Sequence, residues 1–514
     1  MNLAARRNCE GRRLDSAFRW VGISVRIAVP KKAACLEGAW IDDILLEGDG
    51  SRTALHLGRP VTLDELRLLV DGEQERLWAA GLVGGGTLAV RMPPSLACVV
   101  TMLAGWRTGA QVALLDHRLT TYEVGKAIAR LTPQLVAEPV EEVSGRLRGF
   151  FDVTTRITPL HGGRPAGSAD ALLQLSSGST GPSKVIGRTV GSLLAELDRY
   201  AQLDGFPRRG ERTVVLASVV HVLGLVGGLL HGLASGAEVV LPGTQTVDGV
   251  LRAVAAGDAP TTLLGVPSQT ALLAAHRTPP RLPQLRRMIV GGELVGADVR
   301  ERFTRRYDAE LGVMYGMTEV GVIATDLTGS TAPGLTPAPG MKVRVDEGQI
   351  LLGLPRTPYV GPADPTRFVD GWLRTKDAGS LDAAGLLTVH GRLDAQVSVG
   401  GLKVDLAEVE EVLTSLPGVT GAVVVHGAGI EAFVSVTGQE AGDGLAALLA
   451  ARLAPYKRPR AVHTLSEIPR TVTGKPVRNA DVLRAAVRAA ASAGGSETGP
   501  GSDPAHLEPD SALA

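Results

Sequence analysis

The stretch from Leu172 to Thr189, LLQLSSGSTGPSKVIGRT, constrains this chain more than any other. A short Leu-rich run with the pattern of a buried strand leads into Ser176, Ser177, Gly178, Ser179, Thr180 and Gly181, then Lys184. A helix-like pattern begins at Val190. Glycines let the backbone bend so that its N–H groups converge on an oxyanion, hydroxyls add donors, and a lysine brings a mobile positive charge. The stretch therefore reads as a phosphate-handling loop; a merely polar surface loop is the weaker reading. The spacing from Gly178 to Lys184 does not supply the two glycines of G-x-x-x-x-G-K-S/T, so it is not the P-loop of the NTPases.

Around that loop, apolar runs alternate with helix-like stretches: Thr87–Val90, 213–217, Glu238–Leu241, 261–266 and 287–290 read as buried strands. Alternating β and α signals predict a layered α/β architecture with parallel strands. The apolar run from Val214 to Leu241 has the length of a membrane span, but His221, His231 and several glycines interrupt it. A strand, a glycine-lined helix and a second strand fit it better. The 514 residues, 44% of them hydrophobic, suffice for a large core and more than one domain. The 53 basic residues balance 53 acidic ones, which argues against nucleic acid or an acidic membrane surface as a main partner. Cys9, Cys35 and Cys98 make neither a disulfide framework nor a metal-ligand pattern, so a reducing cytoplasm is expected. Residues 1–36 are basic and lack the apolar core of a secretory signal, and they read as a poorly ordered extension. Residues 489–514, rich in Ala, Gly, Ser and Pro, read as a disordered tail.

With Pro replaced by Ser183, the loop resembles the phosphate loop of the adenylate-forming superfamily of acyl-CoA synthetases, aryl-acid ligases, adenylation domains and luciferases. Further motifs of that family follow in order. Ser218–Gly224 resembles its substrate-proximal segment, with His221 and Gly224 at matching places, and Gly291, Gly292 and Glu293 resemble one wall of the adenine pocket. Tyr315-Gly-Met-Thr-Glu319 matches Y-G-x-T-E: the resemblance implies that Tyr315 packs on adenine, that Gly316 and Met317 belong to the nucleotide site with Gly316 also at the acid, that Thr318 touches the α-phosphate and that Glu319 helps hold Mg²⁺. Trp372–Asp377 resembles W-x-x-T-G-D, in which Asp377 would accept from both ribose hydroxyls, although Lys376 stands in place of the usual Gly. His390–Asp394 resembles the domain boundary, with Arg392 reaching ribose and phosphate and Asp394 as hinge; Ala395 replaces a usual second aspartate. Gly401 matches a glycine that lines the pantetheine channel, and Lys475, in Pro469–Arg478, matches the catalytic lysine. Any fragment alone could be structural, a lone histidine or a Tyr-Gly turn above all. Their common order is what carries the resemblance.

The family implies a large N-terminal layered α/β domain (37–393) and a small, mobile C-terminal α/β domain (394–488). It implies ATP, Mg²⁺ and CoA: a carboxylate attacks the α-phosphorus of ATP, and the acyl-adenylate then passes to a thiol. In this scheme Lys184 holds the β- and γ-phosphates, and Lys475 bridges acid and α-phosphate before the small domain rotates to bring Gly401 beside the thiol. Gly400 stands where many CoA ligases carry Lys, so a carrier protein, or release of the adenylate to a partner enzyme, competes with CoA. A non-catalytic ATP-binding module is disfavoured because Lys475, Glu319 and Asp377 are all retained, whereas a luciferase-like oxygenase would use the same residues. The segment Ala217–Gly224 carries no acid, and a buried ammonium needs one. This predicts a lipophilic acid without an α-amino group, with Gly224, Gly227 and Gly228 expected to leave room for a bulky body beside Val266, Val320 and Val322, and with Glu293 as the acid that could oppose it.

Overall fold

The computed structural model describes residues 38–141, 143, 148–176, 184–292, 295–362, 364–394, 396–436, 444–469 and 476–494. The basic extension, most of the phosphate loop, Glu293 and Lys475 lie outside the described residues.

The large domain is built on two sheets. In the nine-stranded one, Arg212–Val215 lies between Thr261–Gly265 and Glu238–Leu241 and is parallel to both. Leu285–Gly291 and Glu310–Met317 continue it in parallel, and antiparallel Gly321–Asp326 follows. The seven-stranded sheet runs Tyr359–Val360, Lys184–Thr189, Asp170–Ser176, Gln111–Leu114, Thr87–Val90, Leu135–Pro139, Thr155–Pro159. Its three inner pairings between Asp170–Ser176 and Leu135–Pro139 are parallel. The interior strands are apolar on both faces, as a parallel sheet covered by helices requires. Leu88, Val112 and Leu172 of one sheet share a single core with Val215, Leu264 and Ile289 of the other, and with the helices Leu96–Arg107 and Val190–Gln202. A third, antiparallel sheet sets Trp372–Leu381 against Gln349–Gly353 and Leu387–Arg392.

The small domain has a hairpin, Gln396–Val399 with Leu402–Asp405, and a three-stranded sheet, Val419–His426, Ile430–Val436 and Ala461–Leu465. The Leu406–Thr414 helix starts at Asp405, whose side chain accepts from the Ala407 N–H, and buries Val409, Val412 and Leu413 against that sheet.

Two expectations fail here. Residues 489–494 are not a tail: the last helix runs Ala480–Gly494, because its Ala-rich end is the best helix former there is. The glycines after His221 do not open a pocket. A Cβ on Gly227 would lie 2.9 Å from the Tyr200 hydroxyl, and one on Gly228 would lie 2.8 Å from Val215 Cγ2. One on Gly224 would meet the Ala217 and Ser218 carbonyls. These glycines let the Leu223–Leu230 π-helix close against its own sheet and Tyr200.

Candidate active site

One cavity of about 1970 Å³ runs between the domains and is lined by both. At one end stand Tyr315, Asp377 and Arg392. The register of Trp372–Leu381 against Leu387–Arg392 sets Asp377 directly opposite Arg392. Arg392 Nη1 donates to Asp377 Oδ1 at 2.9 Å, and the Tyr315 hydroxyl donates to Oδ2 at 2.6 Å. Burial and the neighbouring carboxylate push the Tyr315 hydroxyl far above the usual phenol range. The same guanidinium donates to Asp394 through Nε and Nη2, at 3.0 and 2.8 Å. Burial alone would lower the Arg392 pKa; Asp377 and Asp394 outweigh it. Thus Asp377 and Arg392, expected to face a ribose, satisfy one another here. Lys376 has a left-handed backbone, with φ of 61°, a conformation that glycine adopts freely and that costs a side-chain-bearing residue ~1 kcal/mol or more.

Next come Thr318 and Glu319. Glu319 Oε1 accepts from the Tyr359 hydroxyl at 2.9 Å, and Arg367 Nη2 donates to that hydroxyl at 3.0 Å. Lys184 Nζ stands 6.0 Å from the Tyr359 ring centre, and burial first, then Arg367, lowers its pKa. Tyr359 and Arg367 carry no motif spacing, so sequence reasoning missed both. No group of three or more His, Cys, Asp or Glu among the described residues forms a metal site. A single carboxylate, Glu319, beside cationic Lys184 and Arg367 fits a Mg²⁺ held mainly by nucleotide phosphates. Buried Arg188 donates to Glu196 Oε2 at 2.8 Å and reaches the Thr318 carbonyl at 3.5 Å. Glu196 accepts from the Val322 N–H, and Arg199 donates to the Val320 carbonyl.

Farther along, Gly316, Met317, Gly291 and Gly292 line the cavity, as does His221. Gly224 is not among the lining residues, for the packing reason given above. His221 Nε2 lies 3.7 Å from Asp116 Oδ2, and Arg118 grips both Asp116 oxygens at 2.9 and 2.7 Å. Burial would raise the Asp116 pKa; His221 and Arg118 outweigh it and hold the carboxyl well below its usual range. At the small-domain side, Gly400 and Gly401 have φ of 57° and 80°. A Cβ on Gly401 would lie 2.3 Å from Val266 Cγ1, and Lys403 Nζ donates to the Gly292 carbonyl at 3.0 Å. Only glycine allows so close an approach of the two domains.

Residues 46–352 match the model of the AMP-binding enzyme family, and residues 408–475 match that of the AMP-binding enzyme C-terminal domain. The chain belongs to this adenylate-forming family. It is an AMP-forming acid–thiol ligase of the acyl-CoA synthetase type. Similar proteins include a feruloyl-CoA synthase of Amycolatopsis sp, 30% identical over 477 residues, 82% of this chain and 93% of that protein. A 3-[(3aS,4S,7aS)-7a-methyl-1,5-dioxo-octahydro-1H-inden-4-yl]propanoyl:CoA ligase of Rhodococcus jostii is 31% identical over 394 residues, 68% and 74% of the two chains. Among solved structures, a malonyl-CoA ligase with methylmalonyl-CoA and AMP bound aligns at a TM-score of 0.68 and 25% identity, covering 83% of this ligase and 99% of that chain. No helix among the described residues of the ligase is long and apolar enough to cross a membrane.

Proposed function

We propose that the enzyme activates a bulky lipophilic carboxylic acid lacking an α-amino group as its acyl-adenylate, and then transfers the acyl group to CoA. The observation that carries this reading is the continuity of one cavity from Tyr315, Asp377 and Arg392, past Gly316 and His221, to Gly400 and Gly401. In the first step a carboxylate oxygen bonds to the α-phosphorus of ATP while the bond to pyrophosphate breaks. Charge accumulates on phosphate, so the residues that matter are donors and cations. Lys184 and the 177–181 loop hold the outer phosphates, Thr318 the α-phosphate, and Lys475 the bond being formed. Glu319 would help hold Mg²⁺, which would neutralise phosphate charge. Asp377 exchanges its Tyr315 and Arg392 partners for the ribose hydroxyls, and adenine lies against Tyr315, Gly291, Gly292 and Glu293.

In the second step the thiol sulfur attacks the acyl carbon, the carbon–oxygen bond breaks, AMP leaves and the thiol proton is lost. The small domain, 394–494, turns about Asp394 between the two steps. The approach of Gly401 to Val266 and Gly292 supports the described arrangement as the thiol-transfer pose.

For the acid, the lining is apolar where Ala217, Val219, Val220, Leu223, Val266 and Val322 face the cavity. Among the described residues Asp116 is the acid that pairs with His221, and Arg118 already neutralises it, so it offers nothing to an ammonium. The feruloyl and bicyclic indene-propanoyl acids named for the relatives support a bulky acid. Incubation with ATP, Mg²⁺ and ferulate, benzoate, the bicyclic propanoate, acetate or an amino-substituted analogue, with and without CoA, tests this by product mass. Acyl-CoA from the bulky acids is expected. Preference for acetate or the amino acid contradicts the proposed pocket, and adenylate that CoA does not consume points to a carrier protein or a partner enzyme.

A further inference from the structure

Glu123 stands in the first turn of the Thr121–Leu131 helix of the large domain, where its Oε2 accepts from the Thr120 N–H and hydroxyl, both at 3.0 Å. That capping box fixes the carboxylate and leaves Oε1 pointing away from its own helix. Lys457 of the small domain comes to it: Nζ lies 2.9 Å from Glu123 Oε1 and donates to Glu408 Oε1 at 2.8 Å. The contact with Glu123 is an ion pair off the hydrogen-bonding line, since Oε1 has no hydrogen-bond partner. The Lys457 and Glu123 side chains are each only 9% exposed. Beside them the Arg118 guanidinium lies 5.2 Å from the Tyr456 ring centre, and Arg118 is the residue that grips Asp116 opposite His221.

Without the cross-domain contact, each partner keeps its bonds within its own domain: Glu123 its cap, Lys457 its bond to Glu408. The pair therefore supports neither domain's fold and acts only on how the two meet. Buried ion pairs add little net stability over apolar packing, but removing one member leaves a buried charge unpaired. Such a contact defines a docked geometry more than it strengthens the interface.

We propose that Glu123 and Lys457 are positioning residues for thiol transfer, clamping the small domain where Gly401 meets Val266 and Gly292. The inference rests on the two-step reaction proposed above.

Two measurements test it. In the free protein, Lys457→Gln should raise amide hydrogen exchange in the first turn of the Thr121–Leu131 helix, and Glu123→Gln should raise it at 456–458. Exchange in the core strands of either domain should not change. In single turnovers on the acyl-adenylate of the best acid in the panel, both variants should form thioester about tenfold more slowly or worse. Acyl-adenylate formation and pyrophosphate release should stay within about twofold of the parent. Unchanged exchange across the interface, or equal loss in both half-reactions, would overturn the clamp. Failure of the parent enzyme to form any acyl-adenylate would contradict the proposed function instead, and the exchange measurement would still decide the clamp.

Discussion

Arg188 and Glu196 are 3% and 0% exposed, far from any surface that would explain two charges. They pair with one another and hold the backbone on either side of Glu319, at Thr318 and Val322. Glu196→Ala should destabilise the protein by ~3 kcal/mol or more, because it leaves Arg188 charged and unpaired in the core. Replacing both by leucine should recover much of that stability yet still lower the rate of adenylation, since nothing then fixes the Thr318–Glu319 backbone. Urea unfolding beside pyrophosphate release separates the two effects, and a double variant with full activity would mean the pair is only packing. Lys475 belongs to the same scale. Lys475→Ala should lose ~10²-fold or more in adenylation while still converting supplied acyl-adenylate to thioester. Equal losses in the two steps would assign it another role. Residues such as His221, Tyr315, Asp377 and Arg392 could be read from sequence because motif spacing carries them. Tyr359, Arg367 and Asp116 could not. Tyr359 reaches Glu319 because its short strand pairs with the one that begins at Lys184, and that pairing leaves no local sequence mark.

Elements were legible where periodicity was strong. The Val190–Gln202 helix begins where the pattern places it, and Glu238–Leu241 and Thr87–Val90 are strands over those residues. The glycine-rich segment after His221 was misread because a glycine that opens a pocket and one that admits a neighbour look the same in sequence; Tyr200 and Val215 fill the space. The cap of the Leu406–Thr414 helix carries a pH dependence. Burial raises the Asp405 pKa to about 6, and its Oδ2 has no hydrogen-bond partner. Its folded value lies above its unfolded one, so the cost of ionising it is absent below about pH 4 and complete above about pH 6. Asp405→Asn keeps a good cap without the charge. Relative to the parent, it should gain ~2 kcal/mol in small-domain stability between pH 4 and pH 8. Urea unfolding at the two pH values checks this, and a gap that does not change with pH contradicts it.

At the scale of the whole molecule, the two-domain layout followed from ordered motifs, whereas the way the domains meet did not. Lys457, Glu123 and Glu408 lie far apart in sequence, and each alone reads as an ordinary surface charge. Only the folded chain brings them together, with Gly401 against Val266. The central claim is that a single cavity joins the carboxylate to AMP before the thiol takes the acyl group. A carboxylic acid labelled with ¹⁸O in both oxygens tests it most directly, with the product AMP and thioester weighed by mass after one turnover. The account predicts one labelled oxygen in the phosphate of AMP and one in the thioester carbonyl. AMP free of label, or label recovered in inorganic phosphate, would contradict it.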